Sequence, residues 1–365
     1  MRQYAGMKPL VPAKRIADFR AQLLTWFRRH KRDMPWRRSR DAYRIWVAEV
    51  MLQQTRIAAV MPYYRNFLRR FPTVSSLARA RESEVLKSWS GLGYYSRARN
   101  LHRAARQIVS THGGTFPREH EAALTLAGVG RYTAAAVLSI AYAAPFSVLD
   151  GNVARVLARL GAIRGDLREP ALWKALESTA QELLAAEAPG DWNQALMELG
   201  ETVCTPQSPR CGECPVAAFC RARRLGLTEA IPSPRKKRAP VAVTIAAAVL
   251  RDAEGRTLLV QDPGEHDHVL FSRMWQFPAV EVRKDAAKEL AQRLRQALGL
   301  AAVELEKLPA ARHAVTFRNV TLQPFLASVA SLPKAPRTRA VPLDQIGELP
   351  VSSATRKIAA AAISR

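Results

Sequence analysis

Two carboxylates and four thiols stand out in this 365-residue chain as groups whose settings could do chemistry. Glu49 lies in DAYRIWVAEVMLQQT, where Ala42, Tyr43, Ile45, Trp46, Val47, Ala48, Val50, Met51 and Leu52 leave hardly any polar face. A helix apolar all round is buried. A carboxyl in its middle either pairs with a nearby arginine or resists ionisation, and in the second case it can donate a proton near neutral pH. Asp150 lies in PFSVLDGNVARVLARLG, just ahead of a helix with the apolar stripe Val153, Val156, Leu157 and Leu160. Aspartate is a good helix N-cap, and that role alone accounts for it there. A buried Glu and an ionised Asp are also the pair that N-glycosidic cleavage needs: one protonates the leaving group, the other stabilises a cationic sugar. The thiols are Cys204, Cys211, Cys214 and Cys220, spaced C-x6-C-x2-C-x5-C. Nothing points to an oxidising compartment, so disulfides are not expected. Four thiolates in so short a loop can surround one metal centre, either zinc or an iron–sulfur cluster. Arg210, Arg221, Arg223 and Arg224 flank them, so the centre could hold a basic loop against phosphates.

The elements that must position these groups fall into two parts. From Ile16 to about Leu199 the pattern is almost entirely helical. IPSPRKKRAP (residues 231–240) reads as an exposed basic linker. After it, VAVTIAAAVL and RTLLV are strand-like and joined by a turn at DAEG, and Asp285–Leu298 reads as an amphipathic helix. The expected organisation is a helical domain over 1–230, the linker, and a smaller α+β domain over 241–365. LTLAGVGRYTAAAVLSIAY places Gly128 and Gly130 around Val129, before a helix that starts near Arg131. Glycines allow a tight turn there, and backbone N–H groups at a helix start suit a phosphate, although G-x-G also serves as a plain connection.

Charge and length narrow the function classes. The chain carries 56 Lys+Arg against 31 Asp+Glu, net +25. Residues 1–240 hold 39 basic and 19 acidic residues, whereas 241–365 hold 17 and 12, so the cationic field belongs to the helical part. Such a field attracts polyanions, nucleic acid foremost. The run Arg28, Arg29, Lys31, Arg32, Arg37, Arg38, Arg40 is either part of that surface or a solvated face. Hydrophobic residues make up 48%, enough for a core without disulfides and too much for wholesale disorder. The longest apolar stretch, Tyr132–Leu149, is broken by Pro145 and reads as a buried helix plus a connection, not a membrane span. No secretory signal is visible at the N-terminus, so the expectation is a cytoplasmic protein without membrane partners.

MPWR (Met34–Arg37), EVMLQQT (Glu49–Thr55), GLGYYSRARNL (Gly91–Leu101), GVGRYTA (Gly128–Ala134), LDGNVARVL (Leu149–Leu157) and the cysteine loop occur in one order. Together they resemble the MutY-type adenine DNA glycosylases within the endonuclease III superfamily, tightly over residues 16–224 and loosely beyond. The resemblance implies an all-α helix–hairpin–helix glycosylase domain with its hairpin at 120–141 and an iron–sulfur loop at 204–220, followed by a C-terminal α+β Nudix-like domain. It implies a [4Fe–4S] cluster on the four cysteines. The implied partner is duplex DNA with adenine opposite 8-oxoguanine or guanine, bound by a monomer associated with the nucleoid.

Roles follow from the same resemblance. Glu49 is the acid and base, Asp150 the stabiliser of the sugar cation, with Asn152 positioning it. Bifunctional relatives carry a lysine where this chain has Tyr132, so base removal without strand nicking is expected, with Tyr132 free to hydrogen-bond in the site. Trp36, Arg37 and Leu52 are pocket residues. Gln53, Gln54, Tyr94, Ser96 and Arg97 contact or wedge into the duplex, Thr55 meets the opposing purine, and Gly128, Val129, Gly130 and Arg131 form the hairpin contact. The family's proline before the first hairpin glycine is replaced by Ala127, which should soften the turn slightly. In the C-terminal domain, MWQFPAVEV echoes the strand before a Nudix helix, but DAAKELAQRLRQALGL lacks the paired glutamates that would bind magnesium. Recognition of the damaged guanine is its expected role. Val315, Thr316 and Phe317 occupy the place of the family's Phe-Ser-His loop. The rival readings are an endonuclease III-like lyase, a catalytically silent DNA-binding module and a Nudix hydrolase.

Overall fold

The computed structural model describes residues 9–233, 239–261, 274–300, 303–315 and 318–363. Thr316 and Phe317 lie outside the described residues. The chain divides into two compact units, Met1–Ala78 with Arg103–Lys236, and Arg79–His102 with Lys237–Arg365. The division is therefore not a simple linear one: a helical segment near residue 90 folds with the C-terminal strands.

The helices run in chain order α1 (Ile16–His30), α2 (Ala42–Leu52), α3 (Ile57–Arg70), α4 (Val74–Arg79), α5 (Glu82–Trp89), α6 (Tyr95–Thr111), α7 (His120–Leu124), α8 (Arg131–Tyr142), α9 (Gly151–Gly161), α10 (Pro170–Leu183), α11 (Pro189–Thr202) and the short α12 (Arg221–Arg224). Four of them, α2, α8, α9 and α11, carry the site of the first unit. The α2 helix is buried along nearly its whole length, as its apolar sequence requires, and starts on an Asp41 cap that accepts from the N–H groups of Tyr43 and Arg44. α9 buries every residue from Val153 to Leu160, its two arginines included. α11 lies close to both α8 and α9 through glycines. A Cβ on Gly190 would stand 2.7 Å from the Ser139 carbonyl oxygen, and one on Gly200 would stand 2.7 Å from Asn152 Cβ. Only a residue without a side chain permits that approach.

The hairpin takes the expected form. Gly128 has φ +74 and Gly130 is the N-cap of α8. Both glycines are exposed, while Val129 between them is buried and anchors the turn. Ala127, in the place of the family's proline, uses the N–H a proline would lack: it donates to Gln107 Oε1 at 2.8 Å. The segment read as a linker from residue 231 begins as packed chain. Ile231 is wholly buried in the helical core and Ser233 N–H donates to Gly165 O, so the helical unit extends past 230. An apolar residue beside a buried arginine finds more burial there than in solvent, and the prolines that suggested a linker do not oppose it.

In the second unit, β1 (Val241–Arg251) and β2 (Arg256–Gln261) form the expected hairpin, turning at Asp252–Gly255. The sheet continues with β3 (Trp275–Gln276), β4 (Ala279–Glu281), β5 (Glu306–Lys307), β6 (Ala311–Val315), β7 (Arg318–Ser328) and β8 (Thr338–Pro342). β1 and β7 pair in parallel at its centre, with Val241 opposite Arg318 and Arg251 opposite Ser328. Because side chains alternate along a strand, Ala246, Ala248 and Leu250 face Leu290 and Leu294 of α13 (Ala286–Leu298), whereas Ala247 and Val249 face Ile358 and Ala362 of α14 (Ser353–Ile363). A strand covered on both faces reads as an unbroken apolar run. The result is the expected α+β unit.

Candidate active site

Glu49, Asp150, Asn152 and Tyr132 line one cavity of about 810 Å³ in the first unit, together with Trp36, Arg37, Leu52, Gln53, Gln54 and Thr55. Sequence positions 36 to 152 thus converge where α2, α8, α9 and α11 meet.

Glu49 is 7% exposed, and its partner is a phenol, not an arginine: Tyr132 Oη donates to Glu49 Oε2 at 3.1 Å. Burial pushes the Glu49 carboxyl up to about 7; the Tyr132 hydroxyl and the Arg37 charge oppose the rise, and the Asp150 charge adds to it. Burial, with Glu49 and Asp150 nearby, likewise raises the Tyr132 hydroxyl well above its usual range, so it stays a donor. Near neutral pH the site therefore holds a carboxylic acid that can give up its proton and a phenol that cannot.

Asp150 performs the cap and faces the cavity at once. Its Oδ1 accepts from Asn152 N–H at 2.9 Å and Val153 N–H at 2.7 Å, and its Oδ2 accepts from Asn152 Nδ2 at 3.0 Å. All three of these bonds are donations to the Asp150 side chain, and they fix its orientation at the start of α9. Asn152 is itself oriented by Arg155, whose Nη2 donates to Asn152 Oδ1 at 2.9 Å and to Gly200 O at 2.8 Å. Arg155 also donates to Cys204 O at 2.9 Å. One buried guanidinium thus joins the asparagine beside Asp150 to the first cysteine of the metal loop.

Sequence reasoning missed a second layer of the cavity. Glu198, 1% exposed, accepts from Arg32 Nε at 2.6 Å and from Arg37 Nη2 at 2.8 Å, and Arg32 also reaches Glu201. Arg37 adds a donation to Gln194 Oε1 at 3.1 Å. The two arginines hold the Glu198 carboxyl below its usual range against its burial. The signal was present in the sequence, because Gln194, Glu198 and Glu201 recur at helical spacing on one face of α11. The N-terminal basic run accordingly splits: Arg32 and Arg37 turn inward, while Arg28 pairs with Asp191 and Arg38 with Asp33.

The predicted DNA contacts divide between the units. Gln53 donates to Thr133 Oγ1 at 3.2 Å, and Gln54 is exposed with φ +56. Tyr94, Ser96 and Arg97 belong to the second unit, where Tyr94 is 41% exposed with φ +49. A left-handed backbone is uncommon for residues with side chains, and such outliers concentrate at functional sites. Arg131 leaves the main cavity and borders a smaller one with His120, Phe146 and Glu177.

The four cysteine sulfurs line a separate small cavity with Arg159 and Arg223. Arg159 Nη1 donates to Cys204 Sγ at 3.3 Å, and Arg223 N–H to Cys220 Sγ at 3.4 Å, as thiolates require. Burial, with Cys204, Cys220 and Cys211 adding to it against the Val216 N–H, pushes the Cys214 thiol up to about 12, so thiolates gathered here need a cationic centre to offset it. Among the described residues no three His, Cys, Asp or Glu side chains are grouped to hold a single ion. Nor is any described helix long and apolar enough to cross a membrane.

Residues 47–184 match the model of the HhH-GPD superfamily of base excision DNA repair proteins, and residues 204–220 match the iron–sulfur binding domain of endonuclease III. The chain is 49% identical over 218 residues to adenine DNA glycosylase of Homo sapiens, an alignment covering 57% of this chain and 40% of that protein. To adenine DNA glycosylase of Mus musculus it is 36% identical over 401 residues, 94% of this chain and 77% of that protein. A solved thermostable thymine-DNA glycosylase is similar with a TM-score of 0.53 at 31% identity, over 58% of this chain and 98% of that one. The loop match decides between zinc and iron–sulfur: its limits are the first and last cysteines, and the cofactor is a [4Fe–4S] cluster.

Proposed function

We infer, because the chain belongs to the adenine DNA glycosylase family, that it is a monofunctional DNA glycosylase of base excision repair. It extrudes adenine mispaired with 8-oxoguanine or guanine from duplex DNA and hydrolyses the bond to its sugar, leaving an abasic site. The observation that carries this reading is a buried carboxyl, raised to about 7, sharing a cavity with a helix-capping, hydrogen-bonded aspartate.

Glu49 enters as the acid and gives its proton to N7 of the extruded adenine. The electrons of the C1′–N9 bond pass to the base, which leaves neutral. The Asp150 carboxylate stabilises the cation left at C1′, and Asn152, held by Arg155, keeps that carboxylate oriented. The Glu49 carboxylate then takes a proton from the water that adds to C1′, returning to its starting state. Tyr132 holds Glu49 and offers no amine, so no Schiff base forms and the strand is not nicked. Arg37, fixed by Glu198 and Gln194, shapes the pocket wall with Trp36 and Leu52. Gln54 and Tyr94 wedge into the duplex, Gln53, Thr55, Ser96 and Arg97 support its contacts, and the hairpin Gly128–Arg131 meets the backbone phosphates. Cys204, Cys211, Cys214 and Cys220 hold the [4Fe–4S] cluster, which when bound cross-links the basic loop. The C-terminal unit recognises the damaged guanine, and the protein works as a monomer on nucleoid DNA in the cytoplasm.

Two features count against nucleotide hydrolysis by the C-terminal unit. The two acidic side chains at α13 both cap the helix: Asp285 accepts from Ala287 and Lys288, and Glu289 from the N–H groups of Arg283, Lys284 and Asp285. The deciding experiment is single-turnover cleavage of duplexes bearing adenine opposite 8-oxoguanine, with thymine opposite 8-oxoguanine and adenine opposite thymine as controls. Strand breaks from the adenine mispairs only after alkali are expected. Breaks without alkali, with a borohydride-trapped adduct, would replace this reading with a lyase; binding without base release would replace it with a silent DNA-binding module.

A further inference from the structure

The loop that carries Tyr94 is anchored on residues far away in the chain. α5 ends at Trp89, and the next residue, Ser90, is 4% exposed. Its hydroxyl donates to Val351 O at 2.5 Å and accepts from Arg356 Nη2 at 3.0 Å. Val351 forms a β-bridge with Trp275 at the end of the sheet. Arg356 lies in the first turns of α14, whose start is fixed by Ser352 Oγ accepting from Thr355 N–H at 3.0 Å. One hydroxyl thus ties the end of α5 to both the sheet and the C-terminal helix of the same unit.

The chain that follows is strained. Gly91, Gly93 and Tyr94 have φ of +101, +78 and +49. Glycine adopts such angles freely, but tyrosine does so against a steric cost, and here it does so with its ring exposed. Such a conformation persists only where the surroundings over-determine it. Trp89 Nε1 and Arg97 Nη2 both donate to Gly93 O, at 3.1 and 3.2 Å, and Gly91 N–H donates to Tyr95 Oη at 3.2 Å. The Arg97 guanidinium stands 5.2 Å from the Tyr94 ring centre and 5.5 Å from that of Trp89. These bonds shape the loop from within. The Ser90 junction fixes where it starts.

We propose that the Ser90–Val351–Arg356 junction is a clamp through which the C-terminal helix holds the Gly91–Arg97 loop in the shape that inserts Tyr94 into duplex DNA. Ser90 and Arg356 are then positioning residues for adenine extrusion. The proposal rests on the wedge role of Tyr94 stated above.

The test uses the full chain and the variants Ser90→Ala, Arg356→Ala, Arg356→Lys and Tyr94→Ala. Extrusion is followed by the fluorescence of 2-aminopurine beside the target adenine. Single-turnover release is measured on the mispair and on a duplex whose adenine already bulges out. Loss of a buried hydrogen bond to a charged partner is worth about tenfold, so Ser90→Ala and Arg356→Ala should each slow extrusion from the mispair by about that factor. On the bulged substrate they should differ from wild type by less than roughly twofold, since its adenine needs no extrusion. Arg356→Lys should recover part of the loss, and the double variant should be no slower than Ser90→Ala alone, because the bond lost in Arg356→Ala is one of the two already lost in Ser90→Ala. Extrusion at wild-type speed in Ser90→Ala and Arg356→Ala while Tyr94→Ala is slow would overturn the clamp and leave the wedge standing. Extrusion at wild-type speed in Tyr94→Ala would overturn the wedge and the clamp with it. Equal slowing on mispaired and bulged substrates would reveal general damage and also overturn the clamp.

Discussion

Replacing Tyr132 by phenylalanine removes one hydroxyl and tests how Glu49 is tuned. That hydroxyl donates to Glu49 Oε2 at 3.1 Å and favours the ionised carboxylate, while burial favours the acid and sets the balance at about 7. A hydrogen bond to a charged group contributes about 1.5–3 kcal/mol, and a pH unit corresponds to ~1.4 kcal/mol. Without the hydroxyl, the proton should be held to a pH higher by roughly one to two units. The direction follows from which form the bond stabilises: the lost partner belonged to the carboxylate, so the acid persists further up the pH scale. The assay is the single-turnover rate of adenine release against pH. Its alkaline limb reports the loss of the Glu49 proton, near 7 in the wild type, and should move upward by at least one unit in Tyr132→Phe. An alkaline limb that stays in place, or moves down, would refute the assignment of Glu49 as an acid held between burial and Tyr132.

Other outcomes follow from the same geometry. Glu49→Gln should abolish base release and leave DNA binding intact. It should also stabilise the fold at pH 8: between 4.5 and about 7 the folded chain keeps a proton that the unfolded chain has released, so wild-type stability falls as pH rises through that window. The loss is at most about 3 kcal/mol, so the variant should melt higher than wild type at pH 8 and equally at pH 4. Asp150→Asn should stop release while keeping the melting temperature nearly unchanged, because asparagine caps a helix as well as aspartate does. Gly200→Ala puts a Cβ 2.7 Å from Asn152 Cβ and 3.1 Å from its carbonyl oxygen. Overpacking of this kind costs about 1–3 kcal/mol and should lower both thermal stability and the rate of release. Arg159→Ala removes the side-chain donor to the carbonyls of Thr205, Pro206 and Ile231 and leaves Cys204 O with Arg155, so the cluster absorbance should be lost faster under a chelator. Retention of that absorbance at the wild-type rate would show that the loop does not depend on this side chain.

The carboxylates were legible because their signals are local. An apolar helix with one glutamate is visible in eleven residues, and the structure buries that glutamate as the pattern requires. Asp150 carried two local readings, cap and catalyst, and the structure shows one side chain capping its helix and facing the cavity. The spacing of the cysteines gathered a metal loop but left the metal open. In the C-terminal unit, the apolar run Val241–Leu250 pointed to a strand without its parallel partner seventy-odd residues later, since pairing is a property of two segments and not of either one.

What the sequence determined by itself was which segments are buried, where they turn and which chemically able residues they carry, because propensity and periodicity act over a few residues. Which groups meet was decided only by the tertiary structure. Glu49 finds Tyr132 at a separation of 83 residues, Arg32 finds Glu198 at 166, and Ser90 finds Val351 at 261. The same arginine-rich run divides into inward pairs and solvated ones according to what packs beside it. Proton affinity, ion pairing and loop shape depend on burial and on partners a few ångströms away, and those are set by the packing of whole helices and strands, not by neighbours along the chain.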